Sequence, residues 1–236
     1  MRWWIFQAVI LAAGKGTRLQ SSTSNLPKCL LRIGSQTIID RQIDILQKNG
    51  INDILIIAGY KIELLQQHLK KNNIKIIFNK KFDEFDSLYS ILCAKNFIND
   101  SFICLYGDLI FDEHLLSSFL ESDQTSIVVD DPVYKFDSHS ILHNDNLLKD
   151  IDIDLENKKP SAQFIGISKF SKTSFKLFKE TLEIFYQNNF FDGEYVRVIK
   201  SLLEKNMRIH VFFVKNKTWI NINDKQKLDS AKKYFK

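Results

Sequence analysis

A chain of 236 residues, 44% hydrophobic and 26% charged, is long enough for one large α/β domain with a full core and short for two. Its net charge of +5, from 33 basic and 28 acidic residues, comes without a dense lysine-arginine run, so a nucleic-acid module has little behind it and an anionic small molecule explains the excess. Three cysteines, Cys29, Cys93 and Cys104, are odd in number and lack metal-ligand spacing, which predicts free thiols in a reducing compartment. The opening residues 1–7 have no small-residue cleavage site, and with the next apolar run they are too short to span a bilayer, so a cytoplasmic protein without membrane contact is expected.

In chain order, Trp3 and Trp4 are expected to extend the first strand or to cover an edge of it. The uncharged residues 8–13 read as a strand buried on both faces, broken where Gly14 and Gly16 force a tight turn. Glycines let backbone N–H groups approach an anion, and Arg18 and Lys28 add fixed positive charge, so the loop reads as a triphosphate cradle. The plain alternative is a strand-to-helix turn that happens to carry two cations. Thr37-Ile-Ile-Asp40 resembles a capping box opening a helix with Ile38, Ile39, Ile43 and Leu46 on its inner face, stopped by Asn49-Gly50. Residues 54–58 form a second buried strand, Gly59-Tyr60 a turn, and Ile62, Leu65 and Leu69 a helix; this rhythm predicts a parallel sheet with right-handed crossovers.

Residues 74–78 give a third strand that delivers Asn79 to its carboxyl end, where ligands sit in open α/β sheets. Asp86 or Ser87 is placed to cap a helix carrying Leu88, Ile91, Leu92 and Ala94. Residues 102–108 form a fourth strand ending in Gly107-Asp108. A carboxylate there, after a residue that admits close approach, meets the need of Mg²⁺ for hard oxygen ligands. Asp112 reads as the cap of the next helix. Beyond a strand at 127–129 and a turn at Asp130-Asp131-Pro132, residues up to 159 are polar and without periodicity, and His139 and His143 are expected to be solvated. Strand character returns over 163–171, followed by a helix through Phe175, Phe178, Leu182 and Phe185. Near the end, Asp224 is expected past a short strand, capping a helix through Leu228 and Ala231.

The string Leu11-Ala-Ala-Gly-Lys-Gly-Thr-Arg-Leu19 with Pro27-Lys28 resembles the signature of the nucleotidyltransferase superfamily that activates sugar 1-phosphates and phospho-alcohols. Segment order and length look most like the bacterial choline-phosphate cytidylyltransferases of surface-glycan pathways. The resemblance implies an α/β fold, a three-layer Rossmann-like, mostly parallel sheet. It also implies a single nucleotidyltransferase domain over 1–236, with a nucleotide-binding half to 129 and an acceptor-binding half from 130. By the same resemblance Arg18 stabilises charge at the α-phosphorus and Lys28 contacts the phosphates. Leu11, Ala12, Ala13, Gly14 and Gly16 line the nucleotide, Lys15 is variable and solvated, and Asp108 binds Mg²⁺.

Asn79, Asp86 and Ser87 are the implied base readers, and the Asp-Ser pair, without the Gln and Pro-x-Gly segment of thymidine and glucose enzymes, favours CTP. For the acceptor, Phe190, Phe191 and Tyr195 are candidates for an aromatic box, and the family's acid falls on Glu194 or, in the other register, Val196. Two stretches depart from the pattern. The lysine of many relatives is replaced by Ile153, with Lys149, Lys158 or Lys159 as substitutes, and Asn221 and Asn223 stand where relatives carry metal-binding carboxylates, which predicts weaker metal binding. The expected partners are a nucleoside triphosphate and a small phosphorylated acceptor, with a homodimer left open. A sugar-1-phosphate nucleotidylyltransferase and a non-catalytic nucleotide-binding protein are the competing readings.

Overall fold

The structure is a computed structural model that describes residues 6–22, 26–70, 74–132, 139–152, 155, 159–216 and 218–235, and structural statements below concern these. Trp3, Trp4, Ile153 and Lys158 lie outside them. The apolar run at the start forms β1 (Gln7–Ala12). A glycine loop and two 3-10 turns, Thr17–Ser22 and Lys28–Leu30, lead into a small hairpin of β2 (Arg32–Ile33) and β3 (Gln36–Thr37). α1 (Ile38–Lys48) opens with the expected reciprocal cap: the Thr37 hydroxyl accepts from the Asp40 N–H at 3.1 Å and the Asp40 carboxylate accepts from the Thr37 N–H at 3.4 Å. It closes at Asn49, with Gly50 at φ +83°.

Then follow β4 (Ile54–Ala58), α2 (Ile62–His68), β5 (Lys75–Phe78), α3 (Ser87–Ala94), β6 (Phe102–Tyr106) and β7 (Leu109–Phe111). Asp112 caps α4 (Glu113–Phe119) through the His114 N–H, as expected. The second half holds β8 (Ser126–Asp130), β9 (His139–Asn144), β10 (Leu147–Asp152), β11 (Ala162–Phe170), α5 (Lys172–Gln187), α6 (Val196–Glu204), β12 (His210–Phe213), β13 (Trp219–Asn221) and α7 (Lys225–Tyr234). Asp224 caps α7 through the Lys227 N–H at 2.7 Å.

Nine strands form one sheet in the order β5-β4-β1-β6-β11-β8-β12-β10-β9. The parallel part runs from β5 to β6; beyond it β11 is antiparallel to both neighbours, and only β12 and β8 are parallel again. Alternation along the central strands makes three layers. Val9, Leu11, Leu55, Ile57, Phe102 and Cys104 face α3, α5 and α6, while Ala8, Ile10, Ile54, Ile56 and Ile103 face α1, α2 and α4.

Residues 133–159, read as polar and aperiodic, contain the β9–β10 hairpin. Its two-residue turn places Asp145 and Asn146 at φ 49° and 59°, the left-handed pair that matches the twist of flanking strands. Surrounding charge hid the pattern because only alternate residues, among them Ile141, Leu148 and Ile151, reach the core. The expectation of solvated histidines is corrected as well: His139 is 9% exposed and His143 half-buried.

Buried polar groups find partners. The Lys169 ammonium, fully enclosed, donates at 2.6 Å to the carbonyls of Phe119 and Ser122 at the end of α4, where the helix dipole favours a cation. Cys29, Cys93 and Cys104 are free, and burial pushes the Cys29 thiol up to about 12 and that of Cys93 to about 11. Phe102 joins the first half to the second: its ring stacks on Phe170 at 4.9 Å between centroids and meets Phe178 at 4.8 Å. Phe102→Ala should therefore destabilise the protein by about 3–5 kcal/mol in urea denaturation, the usual cost of emptying an aromatic site that cannot collapse.

Candidate active site

The carboxyl ends of β1, β4 and β6 meet in one place, and glycines are what bring them together. The Gly107 N–H donates to the Leu11 carbonyl at 2.8 Å, and a Cβ on Gly107 would lie 2.6 Å from that of Ala12. The Tyr60 N–H donates to the Ala13 carbonyl at 3.0 Å, which ties the loop after β1 to the end of β4. Above this floor Gly14 is exposed, with no atom within 4 Å of where a Cβ would stand. Gly16, at φ +61°, lies against the Lys28 side chain, whose Cγ a Cβ would meet at 2.6 Å. Lys15, expected free in solvent, instead pairs with Asp83 at 3.7 Å beside the Phe82 ring. Arg18 is exposed on the 3-10 turn that follows the loop.

Lys28 is the hub. Its ammonium donates to Asp108 Oδ2 at 3.0 Å and to Asn223 Oδ1 at 3.0 Å, joining residues 80 and 195 positions away in the chain. The short ladder of β13 on β7 makes this geometry available, because it sets Asn221 opposite Leu109 and lets the Ile222 N–H donate to the Asp108 carbonyl at 2.9 Å. The Asn221 Oδ1 atom is buried without a hydrogen-bond partner. Asp108, Asn221 and Asn223 thus offer hard oxygens, one of which is an orphan, and two of which already share a cation. That donor set suits Mg²⁺, which keeps most of its shell for water and phosphate oxygens. It carries one carboxylate, and among the described residues no group of three or more His, Cys, Asp or Glu side chains is arranged for a metal.

A second cluster stands at the start of α3, and here the expected cap is corrected. Neither the Asp86 nor the Ser87 side chain caps the helix; the Gly193 carbonyl accepts from the Leu88 N–H at 3.1 Å, and the Ser87 hydroxyl is taken by the Tyr195 N–H at 2.8 Å. Gly193 sits at φ +98° with the Arg197 side chain packed where a Cβ would go, so the turn before α6 is held firmly. Burial, and then the neighbouring carboxylates of Glu194 and Asp192, push the Asp86 pKa up from 3.8. Glu194 receives His139 Nε2 at 2.7 Å.

Phe191 is half-buried, edge-on to Phe85 and Tyr89 at 5.7 and 5.2 Å, and Phe190 is 57% exposed. Tyr195 is turned into the core, 1% exposed, with its hydroxyl on Ser168 at 2.7 Å, so its ring offers nothing to an aromatic box. Asn79 is also enclosed, donating to the Ser90 hydroxyl and accepting from the Lys81 N–H, and it shapes the turn after β5. Sequence reasoning passed over His139, Phe85 and Tyr89. His139 was weighed only against a metal role, and no local signal announces a partner 55 residues away.

Gly16→Ala should leave the far-ultraviolet circular dichroism spectrum and melting cooperativity intact while displacing Lys28, and a fall in nucleotide affinity of about tenfold or more, read by calorimetric titration, is the expected result.

A family model described as the MobA-like NTP transferase domain matches residues 8–164. CTP:phosphoglutamine cytidylyltransferase of Campylobacter jejuni is 31% identical over 226 residues, covering 84% of this chain and 88% of the relative. The bifunctional protein GlmU of Methanococcus aeolicus is 33% identical over 201 residues, but the chain spans only 47% of its length. Choline-phosphate cytidylyltransferase of Streptococcus pneumoniae is 33% identical over 125 residues, 53% of this chain and 55% of that one. Among solved structures, a CTP:phosphocholine cytidylyltransferase from Streptococcus pneumoniae superposes over 99% of this chain and 100% of its own with a TM-score of 0.81 at 23% identity. The inositol-1-phosphate CTP transferase of T. maritima does so over 100% and 98%, with a TM-score of 0.81 at 19% identity. The glycine loop, the Lys28 hub and the matched span agree, and the chain belongs to the MobA-like NTP transferase family.

Proposed function

We propose that this chain transfers a cytidylyl group from CTP to a small phospho-alcohol or phosphonate with a cationic head, releasing pyrophosphate. The observation that carries the reading is the Lys28 ammonium held between Asp108 and Asn223 beside the open Gly14 loop. An acceptor phosphate oxygen attacks the α-phosphorus in line, the new P–O bond forms as the bond to the β-phosphate oxygen breaks, and pyrophosphate leaves with the electron pair. Such a reaction needs positioning and charge rather than covalent help. The loop N–H groups receive the phosphates, Arg18 faces the charge that grows at the α-phosphorus, and Lys28 orients both reacting phosphates.

Asp108, with Asn221 and Asn223, would hold Mg²⁺, which supplies further positive charge against the phosphates. Lys28 already compensates Asp108 and the two amides carry no charge, so the empty pocket attracts a free divalent ion weakly. The triphosphate contributes the missing negative charge.

CTP is favoured by the Asp86-Ser87 pair at the head of α3 and by the printed activities of the cytidylyltransferase relatives. For the acceptor, crowding of Asp86 with Asp192 and Glu194 disfavours the ionised carboxyl, and a positive head group relieves it. The adjacent half-buried rings of Phe85, Tyr89 and Phe191 suit an alkylated ammonium. Within this proposal the chain works in the cytoplasm on a precursor for surface glycans; no helix among the described residues is long and apolar enough to cross a membrane.

Pyrophosphate release measured with Mg²⁺, each of the four NTPs, and a panel of phosphocholine, phosphoethanolamine, aminoethylphosphonate and sugar 1-phosphates tests the proposal. Turnover is expected with CTP and a cationic phospho-alcohol or phosphonate and is lost in Asp108→Ala; turnover only with a sugar phosphate sinks the acceptor assignment. The raised pKa of Asp86 fixes a sign as well. The folded chain binds this proton more readily than the unfolded one, so Asp86 lowers stability as pH rises through the carboxylate range and leaves it unaffected below. Asp86→Asn should therefore melt higher than the parent at pH 7, and the two melting curves should converge below about pH 4, near the ordinary value of 3.8.

A further inference from the structure

His139 lies at the start of β9, in the half of the chain that follows the parallel sheet, yet its ring reaches the rim of the pocket built on α3. Three other aromatic rings surround it: Tyr106 at 6.2 Å and Phe164 at 6.1 Å, with Tyr195 at 6.3 Å from Tyr106. From this nest Nε2 meets Glu194 Oε2 at 2.7 Å, and His139 is the more enclosed partner, its side chain 11% exposed against 35% for Glu194. The Glu194 backbone is fixed separately, between Gly193 on Leu88 and Tyr195 on Ser87. The carboxylate is therefore anchored from two sides, by α3 through its backbone and by β9 through its oxygen.

What the carboxylate faces gives the contact its meaning. Tyr106 immediately precedes Gly107-Asp108, and its hydroxyl oxygen is buried without a hydrogen bond of ordinary geometry. Burial and then Glu194 push the Tyr106 pKa well above its usual value, with Ser87 as the moderating hydroxyl. On the other side Glu194 presses on Asp86, and so does Asp192. An unused phenol and three carboxylates, beside the last strand residue before Asp108, form the wall that an acceptor's head group would meet.

We propose that His139 is a positioning residue for acceptor recognition: by binding one Glu194 oxygen it points the other into the pocket beside Tyr106 and Asp86, and thereby sets the preference for a positively charged head group over a neutral one. The inference rests on the cytidylyltransferase reading and deepens it. The imidazole touches neither the phosphates nor the reacting atoms, so its loss acts on acceptor binding. Other charged groups around the pair are Asp86 and Asp192 from the α3 and α6 approaches, with the Arg197 guanidinium directed to the Asp192 carbonyl at 3.2 Å.

Steady-state kinetics of the full chain with CTP, using phosphocholine and the neutral glycerol 3-phosphate as acceptors, test it in His139→Gln, Glu194→Gln and the double variant, with melting temperatures recorded alongside. Losing a hydrogen bond to a charged group should raise the phosphocholine KM about tenfold or more in His139→Gln, with kcat, the CTP KM and the glycerol 3-phosphate KM changed by less than about threefold. The double variant should be no worse than Glu194→Gln alone, because both changes remove the same contact. An equal loss with both acceptors, a loss confined to kcat or to melting temperature, or additive effects in the double variant would overturn the assignment while leaving the cytidylyltransferase intact. Absence of turnover in the parent protein with CTP and every acceptor would overturn both.

Discussion

The ammonium of Lys28, shared by a carboxylate and an amide, is the contact on which the site depends. Asp108 ends the central strand β6, Asn223 follows the last short strand, and Lys28 belongs to the loop region after β1. Each comes from a different part of the chain, and each is placed by backbone pairing. Gly107 must sit against Leu11, β13 must pair with β7, and the Gly16 turn must leave room for the lysine stem. The sheet supplies rigidity for this one junction, because side chains at strand ends inherit the precision of the ladder.

The pocket has two walls of opposite character. On the phosphate side, cationic groups and open N–H donors face a ligand that arrives with several negative charges. On the α3 side, carboxylates crowd against one another and against buried phenols. Such an arrangement is costly when empty, and it persists because Gly193, Ser87 and Tyr195 lock the segment from below. A ligand with a phosphate at one end and a positive charge at the other is complementary to both walls at once, whereas a sugar phosphate would answer only the first.

Much of this was legible in the sequence where local rules act alone. The run from Ala8 to Ala13, the capping box at Thr37, Asp112 and Asp224 as caps and the strand-end position of Asp108 follow from periodicity and from backbone groups satisfied within a few residues. The glycine string pointed to the family because its spacing is that of a phosphate loop. The failures share a cause. Asp86 looks like a cap, but the bond went to a carbonyl more than a hundred residues away. Tyr195 reads as a surface aromatic beside Phe190 and is swallowed by the core, and His139 finds its partner across the fold. Where a side chain's fate is decided by distant packing, neighbouring residues carry no record of it. The β9–β10 hairpin was lost for a different reason, since a charged outer face masks alternation on the inner one.

The span of 195 residues between Lys28 and Asn223 also sets an order of events during synthesis. The parallel core can begin to fold while the ribosome is still making the second half, yet β12, inserted between β8 and β10, and the segment carrying Asn223 emerge among the last residues. Until they arrive the nascent chain displays its phosphate loop without a completed hub and leaves the flank of β8 unpaired. Functional competence is therefore acquired in a single late step, when the C-terminal strands close the sheet, and the same delay exposes an unpaired strand edge that must be shielded from other chains.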